Sequence, residues 1–228
     1  PVNSGTAANA LALSVMSPSY GSVVCHREAH INCDERGAPE FFMTGGKLDP
    51  VGGKHAKIDP AELEGRLSRV DRAKLHETPP YAVSITNLTE SGVRYSMDEV
   101  REICDVSKRF GLMVHMDGAR FANALVGSNC TPAELTWKAG IDVLTLGATK
   151  SGALGAEAIV LFGATRSKLE ELKVRAKRAG HMAPKMRFIS AQLVAMLSDG
   201  LLLNLAQTAN NAAARLSRGL LTDPHIQL

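Results

Sequence analysis

Three side chains in this sequence have the type and setting for covalent and acid–base work: Lys150, Asp117 and His30. Lys150 sits in the turn Gly147-Ala-Thr-Lys150-Ser-Gly152, flanked by the apolar runs Val143–Leu146 and Ala158–Phe162. The runs predict buried strands. Glycines at 147, 152 and 155 predict a backbone free to turn sharply and to leave room for a flat ligand. An ammonium enclosed in such a place without a partner is costly. The chemistry that rationalises it is an ε-amine forming a Schiff base with a carbonyl cofactor. On this stretch alone, a solvated loop lysine stands open beside it.

The run Leu112–Met116 leads straight into Asp117-Gly-Ala-Arg120. Ligands of open α/β sheets gather at the carboxyl ends of strands, so an acid there is a binding candidate; the plainer reading is a helix cap. Two-residue alternation puts His115 on the face of Asp117, where it could orient the carboxylate. At the start, Pro1-Val-Asn-Ser-Gly-Thr-Ala-Ala-Asn9 predicts a turn into a helix from about Thr6, capped by Ser4 or Asn3. A helix start of small residues offers free N–H groups to an anion, or it is simply a capped helix. His26 and His30 would suit a metal only on one helical face. Val23-Val24 instead predicts a strand ending at His26, so no metal is expected.

The elements that must position these groups announce themselves by their caps. Asp59-Pro60-Ala-Glu62, Ser96-Met-Asp-Glu99 and Thr131-Pro132-Ala-Glu134 each predict a helix start, the last helix running to Gly140. Strands are expected at Ser22–Cys25, Ala82–Thr86, Leu112–Met116, Val143–Leu146 and Ala158–Phe162. Strands alternating with helices at this spacing imply an α/β protein with a largely parallel sheet. Residues 39–58 read as an irregular connection with a short strand at Phe41-Phe42-Met43. From 166 onward the chain is helical, with a long helix from about Arg187 interrupted near Asp199-Gly200.

At 228 residues, with 45% hydrophobic and 21% charged residues, the chain can build a substantial core. A net charge of +3 and 4% aromatics leave little for nucleic acid to engage. Cys25, Cys33, Cys104 and Cys130 have no C-x-x-C spacing and read as free thiols in a reducing, cytoplasmic compartment. The apolar stretch near 193–205 is broken by Asp199-Gly200 and Asn204, and no membrane association is expected.

Taken together, Ser4-Gly5-Thr6-Ala-Ala-Asn9, Glu28-Ala-His-Ile31, His115-Met-Asp-Gly-Ala-Arg120 and Gly147-Ala-Thr-Lys150 resemble the low-specificity L-threonine aldolases, fold-type I enzymes that use pyridoxal 5′-phosphate. The resemblance spans about residues 2–190. It implies that Lys150 carries the cofactor, Asp117 pairs with its ring nitrogen, and His30 lies over the ring and serves as a base. It implies further that Ser4, Gly5 and Thr6 hold the phosphate and that Arg120 sits near the substrate carboxylate. The implied reaction is cleavage of β-hydroxy-α-amino acids to glycine and an aldehyde. A β-eliminating lyase and a cofactor-binding but inactive subunit are the alternatives.

The same likeness implies a three-layer α/β/α fold: a cofactor-binding large domain over residues 1–190 and a helical segment over 191–228. That segment leads toward a small carboxyl-terminal domain expected to be missing, along with an N-terminal segment. Where many of these enzymes carry a second histidine, this sequence has Thr89. A homodimer or homotetramer with the site between subunits is the expected assembly.

Overall fold

The apolar runs pair into one sheet in a computed structural model that describes residues 1–223, 225 and 226. In chain order the elements are α1 (Gly5–Ser14), β1 (Ser22–His26), α2 (His30–Cys33), α3 (Ala38–Phe42), β2 (Lys47–Val51), α4 (Pro60–Leu67), β3 (Pro80–Thr86) and α5 (Met97–Arg109). Then follow β4 (Met113–Gly118), α6 (Phe121–Val126), α7 (Pro132–Leu135), β5 (Val143–Gly147), β6 (Glu157–Leu161), α8 (Leu169–Arg178), α9 (Arg187–Leu197) and α10 (Leu201–Leu220). The spatial strand order is β2-β1-β3-β4-β5-β6. Neighbours from β2 to β5 are parallel, whereas β6 runs antiparallel to β5. A short turn joins β5 to β6, and without a crossover helix only antiparallel pairing is open to them.

Each face of the sheet is covered by helices. Val83, Val114 and Met116 pack with Leu63 and Leu67 of α4 and with Val100 and Ile103 of α5. Val23, Ala82 and Val143 pack with Leu11 and Ala12 of α1 and with Leu172 and Ala176 of α8. The fold is therefore a three-layer α/β/α arrangement on a mostly parallel sheet. Fully buried side chains such as Leu11 and Ile103 each contribute roughly 1.5–3 kcal/mol by leaving water. Truncating Ile103 to alanine would cost about 2–5 kcal/mol.

The caps act as their residue types require. The Asp59 carboxylate accepts from the N–H groups of Ala61 and Glu62, with Pro60 opening α4. Ser96 and Glu99 form a reciprocal capping box at α5, and Gly111, at φ +72°, follows its end. The Thr131–Glu134 box starts α7, but the helix stops at Leu135 and turns carry the chain to Gly140. Thr136 breaks it, leaving helical geometry at φ −122°, ψ −107°.

Residues 38–51 differ from the sequence expectation. Phe41-Phe42-Met43 is not a strand; it lies at the end of helix α3, which follows Gly37 (φ +74°) and carries proline in its first turn. The strand of this region is β2, an edge strand whose residues are largely exposed or half-buried. It has no apolar run to betray it, and the edge position tolerates Pro50.

The helical segment breaks where expected, at Asp199 (φ +53°) and Gly200 (φ +71°). By length and composition Arg187–Leu220 is apolar enough to cross a membrane, but the break divides it into α9 and α10. One side of α10 packs on α6: Leu202 and Ala206 join Ala122 and Met196 in a small third cluster, and Asn210 bonds to Asn123. Phe188, Val194, Leu197 and Leu216 are exposed.

Candidate active site

The carboxyl end of β4 delivers Asp117 into the sheet interior, where it is 4% exposed. Glycine on either side of the strand ends makes the close approach possible. A Cβ at Gly118 would stand 2.7 Å from the Thr145 carbonyl oxygen, and one at Gly147 would stand 2.7 Å from that of Ala119. The space at Gly147 is thus filled by protein, not left for a ligand as its sequence setting suggested. Asp117 Oδ1 accepts from the Ala119 N–H and Oδ2 from Asn9 Nδ2, each at 2.9 Å. It caps no helix: α6 begins after Arg120 with no side-chain cap.

His115 does not orient this carboxylate. Its Nδ1 is hydrogen-bonded to Ser84 Oγ at 2.9 Å, and its Nε2 is buried without a partner. Burial pushes its pKa down to about 4, which keeps the ring neutral. The orienting residue is Asn9 on α1. Its Nδ2 donates to both Asp117 Oδ2 and Glu35 Oε1 at 2.9 Å, and its Oδ1 accepts from Thr145 Oγ1 at 2.8 Å. The two carboxylates, which can only accept, fix which way the amide points, and the Thr145 hydroxyl donates to its oxygen.

Glu35 follows α2 and has a side chain with no exposed surface. Its Oε1 also receives His30 Nδ1 at 2.9 Å. That hydrogen bond, opposed by partial burial, raises the pKa of His30 above the ordinary imidazole value. The His30 backbone N–H donates to Glu90 Oε1 at 3.0 Å, and burial raises the Glu90 carboxyl. Thr89 faces elsewhere, its hydroxyl donating to the His55 carbonyl at 2.9 Å.

Lys150 stands in a single 3₁₀ turn, Thr149–Ser151, closed by Gly152 at φ +116°. The lysine is exposed and forms no ion pair among the described residues. The expectation of an enclosed ammonium is corrected: β6 is a half-buried edge strand, and the turn lies at the rim of the site. Below it Glu157 is buried, and loss of hydration raises its pKa.

At the amino end of α1, Ser4 Oγ accepts from the Ala7 N–H at 3.2 Å. Helix geometry leaves the N–H groups of Gly5 and Thr6 without intrahelical acceptors. A Cβ on Gly5 would meet no protein atom within 4 Å. Ser4, Gly5, Thr6, His30, Asp117, Arg120 and Lys150 all line one cavity of about 260 Å³. Asn9, Glu35, Glu90 and Glu157, none given a role from sequence, line it too. Asn9 had a readable signal, an amide inside the alanine- and leucine-rich run Ala7–Leu13; Glu35, within the polar run Asp34-Glu-Arg36, had none. A larger groove of about 510 Å³ between α6 and α9–α10 has no titratable lining residue. Chemistry belongs to the smaller cavity, where an amine, an imidazole, a fixed carboxylate and a helix amino end converge. Among the described residues, no group of three or more His, Cys, Asp or Glu is placed to hold a metal ion.

Known proteins resemble this chain in sequence and in fold. The chain is 47% identical over 224 residues to a low-specificity L-threonine aldolase of a Pseudomonas species and 43% identical to that of Pseudomonas aeruginosa. Each match covers 98% of this chain and 64% of the relative, so the chain spans just under two thirds of their length. The structure of Leishmania major threonine aldolase superposes with a TM-score of 0.89 at 28% identity, covering 97% of this chain and 63% of that one. The sequence model of the beta-eliminating lyases matches residues 1–225. With nearly its whole length matched, the chain belongs to the beta-eliminating lyase family.

Proposed function

We propose that this chain forms the cofactor-binding part of a pyridoxal 5′-phosphate-dependent aldolase that cleaves β-hydroxy-α-amino acids of the threonine type to glycine and an aldehyde. The observation that carries the reading is one cavity holding the Lys150 amine, the buried Asp117 carboxylate and the amino end of α1. The residues present fit the cofactor. Among the described residues, Lys150 offers an amine free of any carboxylate partner, Asp117 a negative charge bonded only to neutral donors, and Gly5 open space beside unpaired N–H groups. When bound, the cofactor supplies a sink for the electron pair released as the Cα–Cβ bond breaks.

The chain's own residues divide the rest of the work. Lys150 is the attachment point for the carbonyl. Asp117 holds positive charge at the ring nitrogen, with Asn9 fixing the carboxylate. Ser4, Gly5 and Thr6 receive the phosphate at the positive end of α1. The exposed Arg120 guanidinium takes the substrate carboxylate. His30 would lie against the cofactor ring and would take the β-hydroxyl proton at Nε2, the imidazole nitrogen opposite the Glu35 hydrogen bond. The free cysteines suit a cytoplasmic setting. The exposed apolar side chains of α9 and α10 give a homodimer or homotetramer a surface to use.

The test is product analysis on the cofactor-loaded protein. Acetaldehyde and glycine from threonine support the aldolase. Pyruvate and ammonia from serine, with no aldehyde, would replace it with β-elimination, the chemistry for which the family is named. Cofactor capture with no turnover of either substrate would leave the chain a binding subunit.

A further inference from the structure

The Glu35 carboxylate is a buried acid of the cavity to which no role above is given. Its side chain has no exposed surface, and Oε1 accepts two hydrogen bonds, from His30 Nδ1 and from Asn9 Nδ2. Its Oε2 is buried and has no hydrogen-bond partner among the described residues. A carboxylate without protons can only accept, so the nitrogen it meets must be the one carrying hydrogen. An unconstrained neutral imidazole in water prefers its proton on Nε2, the wrong place for a base that must accept there. A buried carboxylate on Nδ1 reverses that preference and also fixes the ring plane.

We propose that Glu35 is the positioning residue of this site: it holds His30 in the Nδ1-protonated form with the Nε2 lone pair turned to the cavity, and through Asn9 it ties that ring to Asp117. The role rests on the reading of His30 as the base. The linkage is made of three hydrogen bonds of equal length, His30–Glu35, Glu35–Asn9 and Asn9–Asp117, all at 2.9 Å. Thr145 locks the amide in the middle, so neither carboxylate can shift without disturbing the other. The remaining charged groups about His30 are Glu90, bonded to its backbone N–H, Asp117, and Lys150, whose ammonium opposes protonation of the ring. Among the described residues, only Glu35 bonds to a ring nitrogen of His30, and it is therefore the group that chooses the tautomer.

The test uses the full chain labelled with ¹⁵N, recorded with and without cofactor, following the His30 ring nitrogens from pH 6 to 9. In the parent, Nδ1 should show an N–H shift and Nε2 a lone-pair shift once the ring is neutral. In Glu35→Gln, an uncharged side chain of the same shape, the ring should titrate at lower pH and the two tautomers should mix. Threonine cleavage should fall by about 10- to 100-fold, the usual loss on removing such a supporting partner, with its base limb moved to lower pH. A parent His30 that carries its proton on Nε2 overturns the proposal without any variant, which covers the case of Glu35→Gln failing to fold. An unchanged tautomer and titration in a folded Glu35→Gln overturns it as well. A protein that shows the expected tautomer but never cleaves threonine would sink the aldolase reading and leave the positioning role standing.

Discussion

Asn9 and Asp117, 108 positions apart in the chain, are joined by a 2.9 Å hydrogen bond from the amide Nδ2 to the carboxylate Oδ2. The other carboxylate oxygen takes a backbone N–H from Ala119. Both donors are neutral. The side chain is held in place while its charge is left for a cationic ligand atom.

Asp117→Asn should therefore damage structure and chemistry together. The new amide must turn its NH₂ toward either Asn9 or the Ala119 N–H, leaving a buried donor facing a donor. That mismatch should cost about 1–3 kcal/mol, seen as a lower denaturant midpoint. Bound cofactor should persist while most turnover is lost, because the ring nitrogen loses its countercharge. Near-parental turnover would show that the charge is not used.

Lys150→Ala should leave the fold intact, since the lysine is exposed and makes no ion pair among the described residues. The stability change should lie within roughly 0.5 kcal/mol. The near-visible absorbance of the lysine-linked cofactor should vanish. Borohydride reduction of the loaded parent should label the peptide containing residue 150, and a label on any other lysine would remove it from the attachment role.

His30→Phe separates stacking from proton transfer. A flat aromatic ring should keep cofactor affinity near the parental value, while aldehyde release drops by about 10²-fold or more, the scale of a lost general base. His30→Ala should lose both. Parental rates with an unchanged pH profile in His30→Phe would confine the histidine to stacking.

His115 should make the protein sensitive to mild acid. Its pKa lies near 4 in the fold, because burial disfavours the charged ring, against about 6.5 when unfolded. A depressed histidine binds its proton more readily in the unfolded chain, so stability is full above about pH 6.5 and falls as pH drops toward 4. The loss is on the order of 3 kcal/mol over that window. Urea titrations from pH 7 to 4 should show the parent weakening more steeply than His115→Leu; parallel slopes would mean that the ring is hydrated or partnered in solution.

Much of the fold was legible because its signals are local. The caps at Asp59, Ser96 and Thr131 each lie within four residues of the helices they start. β2 was not legible, since an edge strand needs no apolar face, and Phe41-Phe42 mimicked one inside a helix. In the site, Asp117 could be found from its place at a strand end. Glu35 could not, because it sits in a polar run and its bond to Asn9, 26 positions away, exists only once the chain has folded. The setting of Lys150 was misjudged because the apolar run of β6 read as a buried strand, whereas β6 is a half-buried edge strand and leaves the turn at the rim.

The amide of Asn9 reaches residues 26, 108 and 136 positions away. Helix α5 can form from neighbouring residues in microseconds, but these three bonds need most of the chain to have closed on itself first. The entropy of those long closures must be met before any of the bonds can form. A refolding chain will therefore regain helical signal well before it can capture cofactor. In that interval it has helices and its lysine, but no acid floor on which a cofactor could rest.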